Sequence, residues 1–593
     1  MPPKVKPIKE DSKNGSFQYS RQNLSGKAWW LERAFEVLPA TLSWSLLISL
    51  FLLCFFAPIA GMIVVILFDL YLLFRLLYST IFLVLSYGLL EVERRTQWHE
   101  RLMDLVDLDQ AIFRTKGKLR ELREPRFPGF FLGPLLDRTK SVYSEQNHLA
   151  VLERVKNEKI QFPNPKQLFH LVILPFYSEG LTVLEPSIQA LTKVNYPLDR
   201  MIVVLGVEER AGKEARKIAE FLKREYGHYF FHFEICVHPE GIPGEGAVKG
   251  ANATYAAKWA KTFLEARRIS FERVIVSCFD CDTVVSPEYF SCLSYNYLIH
   301  PKRTRTSFQP IPVYHNNLWE APSFACVVET GSSFMQLIEV TDPERLVTFS
   351  SHSMSFQALV EIGYWPTNLV SDDSAIFWKA YLAYDGDYRV EPFYVTVSMD
   401  VALGKNLWET CASIYYQKRR WAWGVENFPI VVRGLFANPK ISFWKKLMHA
   451  FRLLEVNVSW ATWTPIMLIL TWAPALVATR EFSSSVAHFN SPRVGAVICN
   501  LALASLVIST VLSLLLLPKS AKKLGFFKKL VFAFQFLLVP VIATVFGAIP
   551  ALDAQTRLAL GKYMEFFVTP KVRTAKDFEK KGFPQLKTSL RAA

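Results

Sequence analysis

The feature that most constrains this chain is a charge-free hydrophobic run from Leu42 to Phe68. A helix needs about 20 apolar residues to cross the hydrocarbon core of a bilayer, and this run is longer than that. The apolar character continues to Leu90, interrupted only by Asp69 and Arg75. One helix of that length would be too long, so we predict a transmembrane hairpin at 38–90. Its spans would be about 38–57 and 59–88.

A second hydrophobic region covers residues 457–551 and contains three further candidate segments, at 458–478, 494–517 and 530–552. Lysines at 519–529 lie between the last two, as expected of a cytosolic loop. Two spans before a cytosolic domain and three after it would leave the C-terminus outside. The tail at 552–593 is strongly basic, which favours the cytosol instead. Pro540 and Pro550 therefore suggest that the last segment is re-entrant.

The residues between Lys440 and Leu454 have a different pattern, with Trp444, Leu447 and Phe451 on one helical face. A basic helix with such an apolar face is typical of the membrane interface, and we assign it to 431–456. Asp69 and Arg75 are expected to face the interior of the helix bundle or to reach the interface. A polar substrate path is the alternative.

The formal net charge is +15 at pH 7, and residues 1–37 form a basic tail that we place in the cytosol. Membrane proteins concentrate Lys and Arg on the cytosolic side. No basic array indicates a nucleic-acid partner. Cys278 and Cys281 form a CxxC on a hydrophobic stretch with no second pair nearby, so we do not expect zinc. The scattered cysteines suit a reducing compartment.

The middle of the chain has the sequence pattern of an α/β protein. A helical linker is expected at 91–167, followed by apolar strands alternating with helices such as 213–226 and 247–266. This alternation predicts a largely parallel, Rossmann-like sheet. The predicted strands are His170–Phe176, Met201–Val207, Phe231–Val237, Val274–Phe279 and Ser307–Val313. In such sheets ligands bind at the carboxyl ends of the strands.

Three motifs follow in order. Asp280-Cys281-Asp282 ends a strand, and two carboxylates one residue apart can hold a hard divalent cation. Ser371-Asp372-Asp373 offers a carboxylate that can act as a base. Gln417-Lys418-Arg419-Arg420-Trp421 puts Gln417, Arg420 and Trp421 on one helical face, where they suit a phosphate and a sugar. Taken singly, the DxD also fits a solvated turn, the second acidic motif also fits a helix cap, and the QxxRW also fits an interfacial helix.

Together, a DxD, a second acidic motif and QxxRW in this order resemble the family 2 glycosyltransferases. The resemblance is strongest to the membrane-integrated cellulose, chitin and hyaluronan synthases. It implies a GT-A-like catalytic domain, which we place at 168–430. Phe566-Phe567-Val568-Thr569-Pro570-Lys571 is similar to the FxVTxK gating loop of cellulose synthases. A generic polar segment after a membrane helix is the alternative.

The resemblance also implies roles for matching positions. The catalytic residues would be Asp373 as general base, with Asp282 and Arg420. Asp280 and Asp282 would hold Mg²⁺ or Mn²⁺. The donor-binding residues would be Tyr177, Glu179, Glu208, Lys249, Asp280, Asp282, Gln417, Arg420, Thr569 and Lys571.

Trp421 and His352 would contact the acceptor. There are departures from the family pattern: Glu208 stands where relatives usually have aspartate, and Phe349–Ser353 replaces a loop that usually bears glycine or cysteine.

The resemblance implies an inverting transferase that uses a nucleotide-sugar, most plausibly a UDP-sugar. It would elongate and export a polysaccharide. Transfer of a single sugar to a lipid acceptor is the alternative within this class, and a transporter or channel is the alternative outside it. The expected partners are the donor, a polysaccharide or lipid acceptor and membrane lipid. The expected location is a bacterial inner membrane, with the catalytic domain in the cytosol.

Overall fold

The computed structural model describes residues 17–22, 24–124, 132–468, 486–517 and 533–567, together with the single positions 473, 484, 530 and 569. Among the described residues, long helices precede and follow a mixed α/β domain. Of the predicted gating-loop-like segment, Val568, Pro570 and Lys571 lie outside the described residues.

The α/β domain is built on one mixed sheet, in which the strand order is β3-β2-β1-β4-β7-β6-β8-β5. The first four positions in this order are parallel to one another, whereas β7 runs antiparallel to both of its neighbours. Within the described residues the strands are β1 (Phe169–Phe176), β2 (Met201–Glu208), β3 (His232–His238), β4 (Val274–Cys278), β5 (Val284–Val285), β6 (Thr306–Val313), β7 (Ser353–Ser355) and β8 (Arg389–Ser398).

All five strands predicted from the sequence are present, and the expected α/β class is correct. The sequence missed β5, β7 and β8. β5 and β7 have only 2 and 3 residues, too few to show a periodic pattern. β8 contains Pro392, which argues against a strand. Its pairing with β6 shifts register between Gln309 and Ile311.

The helices, numbered along the chain, are α1 (Gly26–Phe56), α2 (Pro58–Glu93), α3 (Trp98–Asp104), α4 (Leu108–Arg123), α5 (Leu132–Asn157), α6 (Leu181–Leu191), α7 (Gly212–Tyr226), α8 (Lys249–Ala266), α9 (Tyr289–Ile299), α10 (Ser323–Glu339), α11 (Phe356–Glu361), α12 (Asp372–Ala383), α13 (Leu407–Ala422), α14 (Asn427–Ala437), α15 (Phe443–Leu468) and α16 (Val486–Leu516). A composite helix, Gln535–Ala559, follows and includes a π-helical turn at Thr544–Ala548.

Hydrophobic cores cover both faces of the sheet. Leu171 and Ile173 of β1 belong to one core, and Val172 and Leu174 belong to the other, as the two-residue period of a strand requires. β1 and β2 are buried along their whole length, which explains why their sequences read as continuous apolar runs.

Four helices in the described part of the chain are long and apolar enough to cross a membrane: Gly26–Phe56, Pro58–Glu93, His488–Leu516 and Gln535–Ala559. The first two are separated only at Ala57, beside Pro58, where the sequence predicts the hairpin turn. α1 begins at Gly26 and so includes part of the segment predicted as a tail. Its early turns are anchored by Glu32, which pairs with Arg433 at 2.9 Å.

The segment predicted as a span at 458–478 differs from expectation. α15 runs without a break from Phe443 to Leu468, so no helix boundary falls at 456. Most of the remainder of that segment lies outside the described residues. Trp444 and Phe451 of α15 are exposed, which fits an interfacial face. Arg75 of α2 pairs with Glu455 of α15 at 2.6 Å, so this charge has a partner between helices.

The start of α8 approaches the loop that leads into α12 so closely that only glycine fits at position 250. A Cβ there would lie 2.4 Å from the Pro366 carbonyl oxygen and 3.0 Å from Asp372 Cβ. Gly250→Ala should therefore lower the free energy of unfolding by about 1–3 kcal/mol, measured as a lower Tm.

Gly117→Ala in α4 is the matched control. A Cβ there would meet nothing within 4 Å, so this change should leave stability unchanged or raise it by up to about 1 kcal/mol. Equal Tm values for the two variants would contradict the packing described for α8.

Candidate active site

An open pocket lies at the carboxyl ends of β1, β2 and β4, where an α/β sheet is expected to bind ligands. The space inside it, counted together with the open solvent at its mouth, is about 640 Å³. Seven residues selected from the sequence line it: Tyr177, Glu179, Glu208, Lys249, Asp280, Arg420 and Thr569. Segments far apart in the chain therefore converge on one cavity.

Lys249 joins the two acidic motifs. Its Nζ lies 2.7 Å from Asp280 Oδ1 and 2.9 Å from Asp373 Oδ1. Burial by itself would lower the pKa of Lys249, but the charges of Asp280 and Asp373 outweigh it and raise that pKa well above its ordinary value. The ammonium therefore stays charged between two carboxylates that would otherwise repel each other.

The two aspartates of the DxD have different surroundings. Asp280 borders the pocket, and its Oδ2 accepts a 2.5 Å hydrogen bond from Ser350 Oγ. Asp282 is only 1% exposed, and its Oδ2 accepts a hydrogen bond from the Asp400 backbone N–H at 2.9 Å. Asn316 donates from Nδ2 to the Asp282 carbonyl and to Asp400 Oδ1, at 2.9 Å each. Asp282 is thus fixed by backbone and amide contacts.

The second acidic motif begins α12. Asp373 is partly exposed, whereas Asp372 is buried, and its Oδ2 has no hydrogen-bond partner within the described residues. Burial, together with the neighbouring charge of Asp373, raises the pKa of Asp372 to about 8. At neutral pH Asp372 is therefore mostly protonated. Ser371 precedes the helix, but its side chain makes no capping hydrogen bond.

The QxxRW motif lies on α13. Arg420 lines the pocket, and its Cζ is 4.8 Å from the centre of the Phe566 ring. Gln417 is buried, and its Oε1 has no hydrogen-bond partner among the residues that the structure describes. The motif therefore brings a permanent cation to the same pocket as Asp280.

A buried ion pair supports Trp421 of this motif. Lys418 Nζ lies 3.6 Å from the centre of the Trp421 ring and 3.0 Å from Glu329 Oε2. The ring of Phe349 packs edge-on against Trp421 at 5.5 Å. These contacts fix the indole beside the loop that carries Ser350.

The other end of the pocket is lined by the loops after β1 and β2. Glu179 Oε2 accepts hydrogen bonds from the backbone N–H groups of Tyr177 and Ser178, at 2.8 and 3.1 Å. Arg210 lies over the Tyr177 ring at 4.7 Å, and its Nε donates to Glu208 Oε2 at 3.3 Å. An aromatic ring, a guanidinium and a carboxylate therefore stand together.

His238, at the end of β3, supports Glu208 from the buried side. Its Nδ1 lies 3.3 Å from Glu208 Oε2, and its Nε2 lies 2.8 Å from Glu245 Oε2. Burial disfavours the charged imidazole, but the hydrogen bonds to Glu208 and Glu245 and the charges of both outweigh it and raise the pKa of His238 to about 9. The imidazolium is therefore held between two carboxylates at neutral pH.

The C-terminal segment reaches the pocket as well. Phe566, Phe567 and Thr569 line it, and Thr569 is buried. Phe567 packs against Tyr416 of α13 with ring centres 5.3 Å apart. Lys571, predicted to bind the donor, lies outside the described residues.

The structure corrects the expectation for His352. Its ring is 0% exposed, Nδ1 donates to the Phe349 carbonyl at 3.1 Å, and Nε2 accepts from Trp365 Nε1 at 3.4 Å. With both nitrogens occupied and no exposed surface, His352 does not contact an acceptor. It lies 3.8 Å from Asp373 Oδ1 and packs beneath the site. Burial also lowers the pKa of His352, so the ring is neutral.

Asp280 and Asp282 are the residues that would hold a divalent cation. Their carboxylate oxygens suit Mg²⁺ or Mn²⁺, and such ions are commonly held by one or two carboxylates together with substrate phosphates. Asp280 borders the open pocket that Arg420 also lines, so the residues present fit this group. Among the residues described, no group of three or more His, Cys, Asp or Glu forms a self-sufficient metal site.

Sequence reasoning missed several contributors to the site. Lys418 lies inside the QxxRW motif and Ser350 lies inside the loop Phe349–Ser353, so the sequence marks the neighbourhood of both residues. His238 directly follows a predicted strand, and ligands bind at the carboxyl ends of the strands in such a sheet. Glu329 gave no signal, because nothing in the sequence links it to Lys418.

Comparison with known proteins finds similarity over the middle of the chain. Residues 275–539 match the family model described as "Glycosyl transferase family group 2". The chain is also 19% identical over 343 residues to the poly-beta-1,6-N-acetyl-D-glucosamine synthase of Staphylococcus epidermidis, covering 54% of this chain and 69% of that protein. The resemblance to family 2 glycosyltransferases is confirmed.

Similar solved structures include the mannosyltransferase PcManGT from Pyrobaculum calidifontis in complex with GDP-Man and Mn²⁺. The identity is 14%, the TM-score is 0.34, and 66% of this chain and 94% of that chain are covered. Residues 1–349 of S. aureus TarS in complex with UDP match with 11% identity and a TM-score of 0.33, covering 58% of this chain and 90% of that chain. The overall structural likeness is low in both cases.

Removal of the Lys249 charge should destabilise the protein. Lys249→Gln leaves Asp280 and Asp373 without their shared cation, a loss of roughly 3–5 kcal/mol for one partner of a buried pair. Thermal unfolding of the variant and the unchanged protein at pH 7.5 measures it.

Lys261→Gln, also on α8, is the control. Lys261 makes an exposed pair with Glu265 at 3.8 Å, so this change should alter stability by no more than about 1 kcal/mol. A Lys249→Gln variant as stable as Lys261→Gln would show that the bridge is not formed.

His238 should make stability depend on pH. Its folded-state pKa of about 9 lies above the ordinary value of 6.5, so its contribution is complete below pH 6.5 and is lost as the pH rises through 9. His238→Gln should therefore have a lower Tm than the unchanged protein at pH 6, and the gap should narrow by pH 10. His228→Gln is the control. A gap that stays constant over this range would contradict the charged imidazole.

Proposed function

We propose that this family 2 glycosyltransferase transfers a sugar from a UDP-sugar to an acceptor hydroxyl, with inversion at the anomeric carbon. One observation carries the proposal: Lys249 ties Asp280 to Asp373 at the edge of the pocket that Arg420 also lines. A base, a cationic phosphate site and an acidic metal site therefore lie within reach of one donor.

The residues proposed to bind the nucleoside, Tyr177, Glu208 and Arg210, favour uracil as the base. Both contacts of Glu208 in the described part of the chain use Oε2, which leaves Oε1 as an acceptor. One carboxylate oxygen suits uracil, whose ring has a single N–H between two carbonyls. Guanine presents two adjacent donors, which suit a carboxylate that has both oxygens available. Arg210 would donate to a neighbouring uracil carbonyl, and Tyr177 would stack on the base.

The diphosphate would lie between Arg420 and the DxD. Arg420 brings a guanidinium, the side chain best suited to phosphate, and Gln417, Thr569 and Lys571 would complete the contacts. A divalent cation held by Asp280 and Asp282 would neutralise charge that develops on the leaving diphosphate. Lys249, next to Asp280, adds positive charge on the same side.

Asp373 would act as the general base. It takes the proton of the acceptor hydroxyl while the hydroxyl oxygen bonds to the anomeric carbon, and the bond from that carbon to the diphosphate breaks so that UDP leaves. Attack opposite the leaving group inverts the configuration. Lys249 places a positive charge 2.9 Å from Asp373 Oδ1, and the protonated Asp372 adds no competing charge.

Trp421 would receive the acceptor sugar on its indole face, because aromatic rings bind the apolar faces of sugars. The similarity to a poly-beta-1,6-N-acetyl-D-glucosamine synthase supports a polysaccharide product. The C-terminal FxVTxK-like segment at the pocket supports the same product. Polymer synthesis with export is therefore preferred over a single transfer to a lipid.

The catalytic domain would face the cytosol of a bacterial cell and be anchored in the inner membrane. Among the described residues four helices are candidate spans, and an even number of crossings would leave both ends of the chain on one side of the membrane. That arrangement agrees with the basic segments at both ends, since Lys and Arg concentrate in the cytosol. Membrane lipid would contact the exposed apolar face of α15.

A donor panel tests the proposal. Purified protein in lipid is incubated with several UDP-sugars and with GDP-mannose, in the presence of Mg²⁺ or Mn²⁺, and release of nucleoside diphosphate is measured. A UDP-sugar should react at least about tenfold faster than GDP-mannose, as one lost hydrogen bond of about 1.4 kcal/mol implies. Sizing the product then separates a polymer ladder from a single addition. No release from any donor would overturn the proposal.

The role of Asp373 is tested in the same assay. Asp373→Asn should lower kcat by about 10²–10⁴-fold, the usual contribution of a general base. Asp109→Asn, an exposed carboxylate on α4, is the matched control and should keep full activity. An Asp373→Asn variant with more than a tenth of the normal kcat would exclude Asp373 as the base.

A further inference from the structure

The N-terminal arm, residues 17–22, lies against the catalytic domain near the second acidic motif. Tyr19 is buried, and its hydroxyl donates to Asn427 Oδ1 at 2.8 Å. The Ser20 carbonyl accepts from Arg433 Nη2 at 2.7 Å, and Ser20 Oγ accepts from Asn368 Nδ2 at 2.9 Å. The arm is therefore held by buried and directional contacts, although it precedes the first candidate span.

Arg21 of this arm reaches a buried carboxylate. Its Nη1 lies 3.1 Å from Glu426 Oε2, and the Glu426 side chain is 0% exposed. A buried carboxylate that loses its cation is costly, so the position of Glu426 depends on Arg21. The pair connects positions 405 residues apart.

Glu426 in turn holds the residue just before the proposed base. Its Oε1 accepts from the Ser371 backbone N–H at 2.9 Å and from Ser371 Oγ at 2.8 Å. Asn427, which contacts Tyr19, donates from Nδ2 to Ser371 Oγ at 3.0 Å. Ser371 leads directly into Asp372 and Asp373, so these contacts set where α12 begins.

Arg21 also touches the segment that leads into the pocket. Its Cζ lies 4.0 Å from the centre of the Tyr563 ring. Three residues later Phe566 lines the pocket and packs against Arg420. The Arg21 guanidinium therefore contacts Glu426, which holds the residue before α12, on one side. On the other side it contacts Tyr563, which leads into the pocket.

We propose that the N-terminal arm is a positioning element of the active site, and that Arg21 orients Asp373 through Glu426 and Ser371 and orients the 563–567 segment through Tyr563. The proposal rests on the proposed function of the same pocket. Arg21 does not touch the reacting atoms. It acts on catalysis through the aspartate and on donor binding through the segment.

Three variants separate these two effects. Arg21→Gln removes both the positive charge next to Glu426 and the flat guanidinium next to Tyr563. The kcat should therefore fall at least about tenfold, and the KM for the donor should rise. Arg21→Lys keeps a charge for Glu426 but loses the flat stacking on Tyr563, because a lysine ammonium is a point charge. It should keep kcat within about twofold and raise only the KM. Tyr563→Leu should behave as Arg21→Lys does.

The controls distinguish positioning from general damage to the fold. Arg345→Gln removes an exposed cation paired with Asp342 and should leave kcat and KM unchanged. Adding Glu426→Gln to Arg21→Gln removes the stranded carboxylate, so the double variant should be no less active than Arg21→Gln alone. Equal losses of kcat in Arg21→Gln and Arg21→Lys, or kcat and KM unchanged in Arg21→Gln, would overturn the proposal.

A measurement without turnover separates failure of this inference from failure of the proposed function. Hydrogen exchange of the peptides covering 366–376 and 562–567 is compared between the unchanged protein and Arg21→Gln. Faster exchange in both peptides, with unchanged exchange in β1 and β2, is expected even if no donor is turned over. Unchanged exchange in both peptides would overturn the inference while leaving the donor assay unaffected.

Discussion

The site depends on one buried cation between two carboxylates. Asp280 follows β4 and Asp373 lies in the first turn of α12, and ionised carboxylates so close together would repel each other strongly. Lys249 removes that repulsion by lying within 3 Å of an oxygen from each. The same contact fixes the start of α8, and Gly250 beside it allows the chain around Asp372 to approach. Electrostatics and packing therefore specify the same arrangement.

Sheet topology explains why these groups meet. Parallel strands β1, β2 and β4 deliver their following loops to one edge, and this brings Tyr177, Glu208 and Asp280 to a common pocket. The antiparallel β7 enters beside β4 and carries the loop from which Ser350 reaches Asp280. Ser351 in that loop has φ of 64°, a conformation that favours glycine. The loop therefore holds a strained backbone turn beside Asp280.

Much of this arrangement could be predicted from the sequence, because its signals are local. Continuous apolar runs marked β1, β2 and β4, and the motifs that follow them fell at strand ends. The contacts between distant segments could not be predicted. Their residues meet only when the folded chain buries them together, and sequence spacing does not indicate such a pairing. Arg21 with Glu426 and Lys418 with Glu329 are such pairs. His352 was misjudged for the same reason: it lies in a loop next to the site, yet β7 turns it into the core.

The account therefore reduces to a pocket that accepts a nucleoside diphosphate between β1, β2 and α13, with Lys249 and Asp373 at its inner edge. The most direct test is an experimental structure of the protein in lipid with UDP and Mn²⁺. The account predicts uracil beside Tyr177 and Glu208, and a diphosphate within hydrogen-bonding distance of Arg420 on the side of Asp280. A nucleotide bound elsewhere, or Asp373 turned away from the sugar end of the diphosphate, would contradict it.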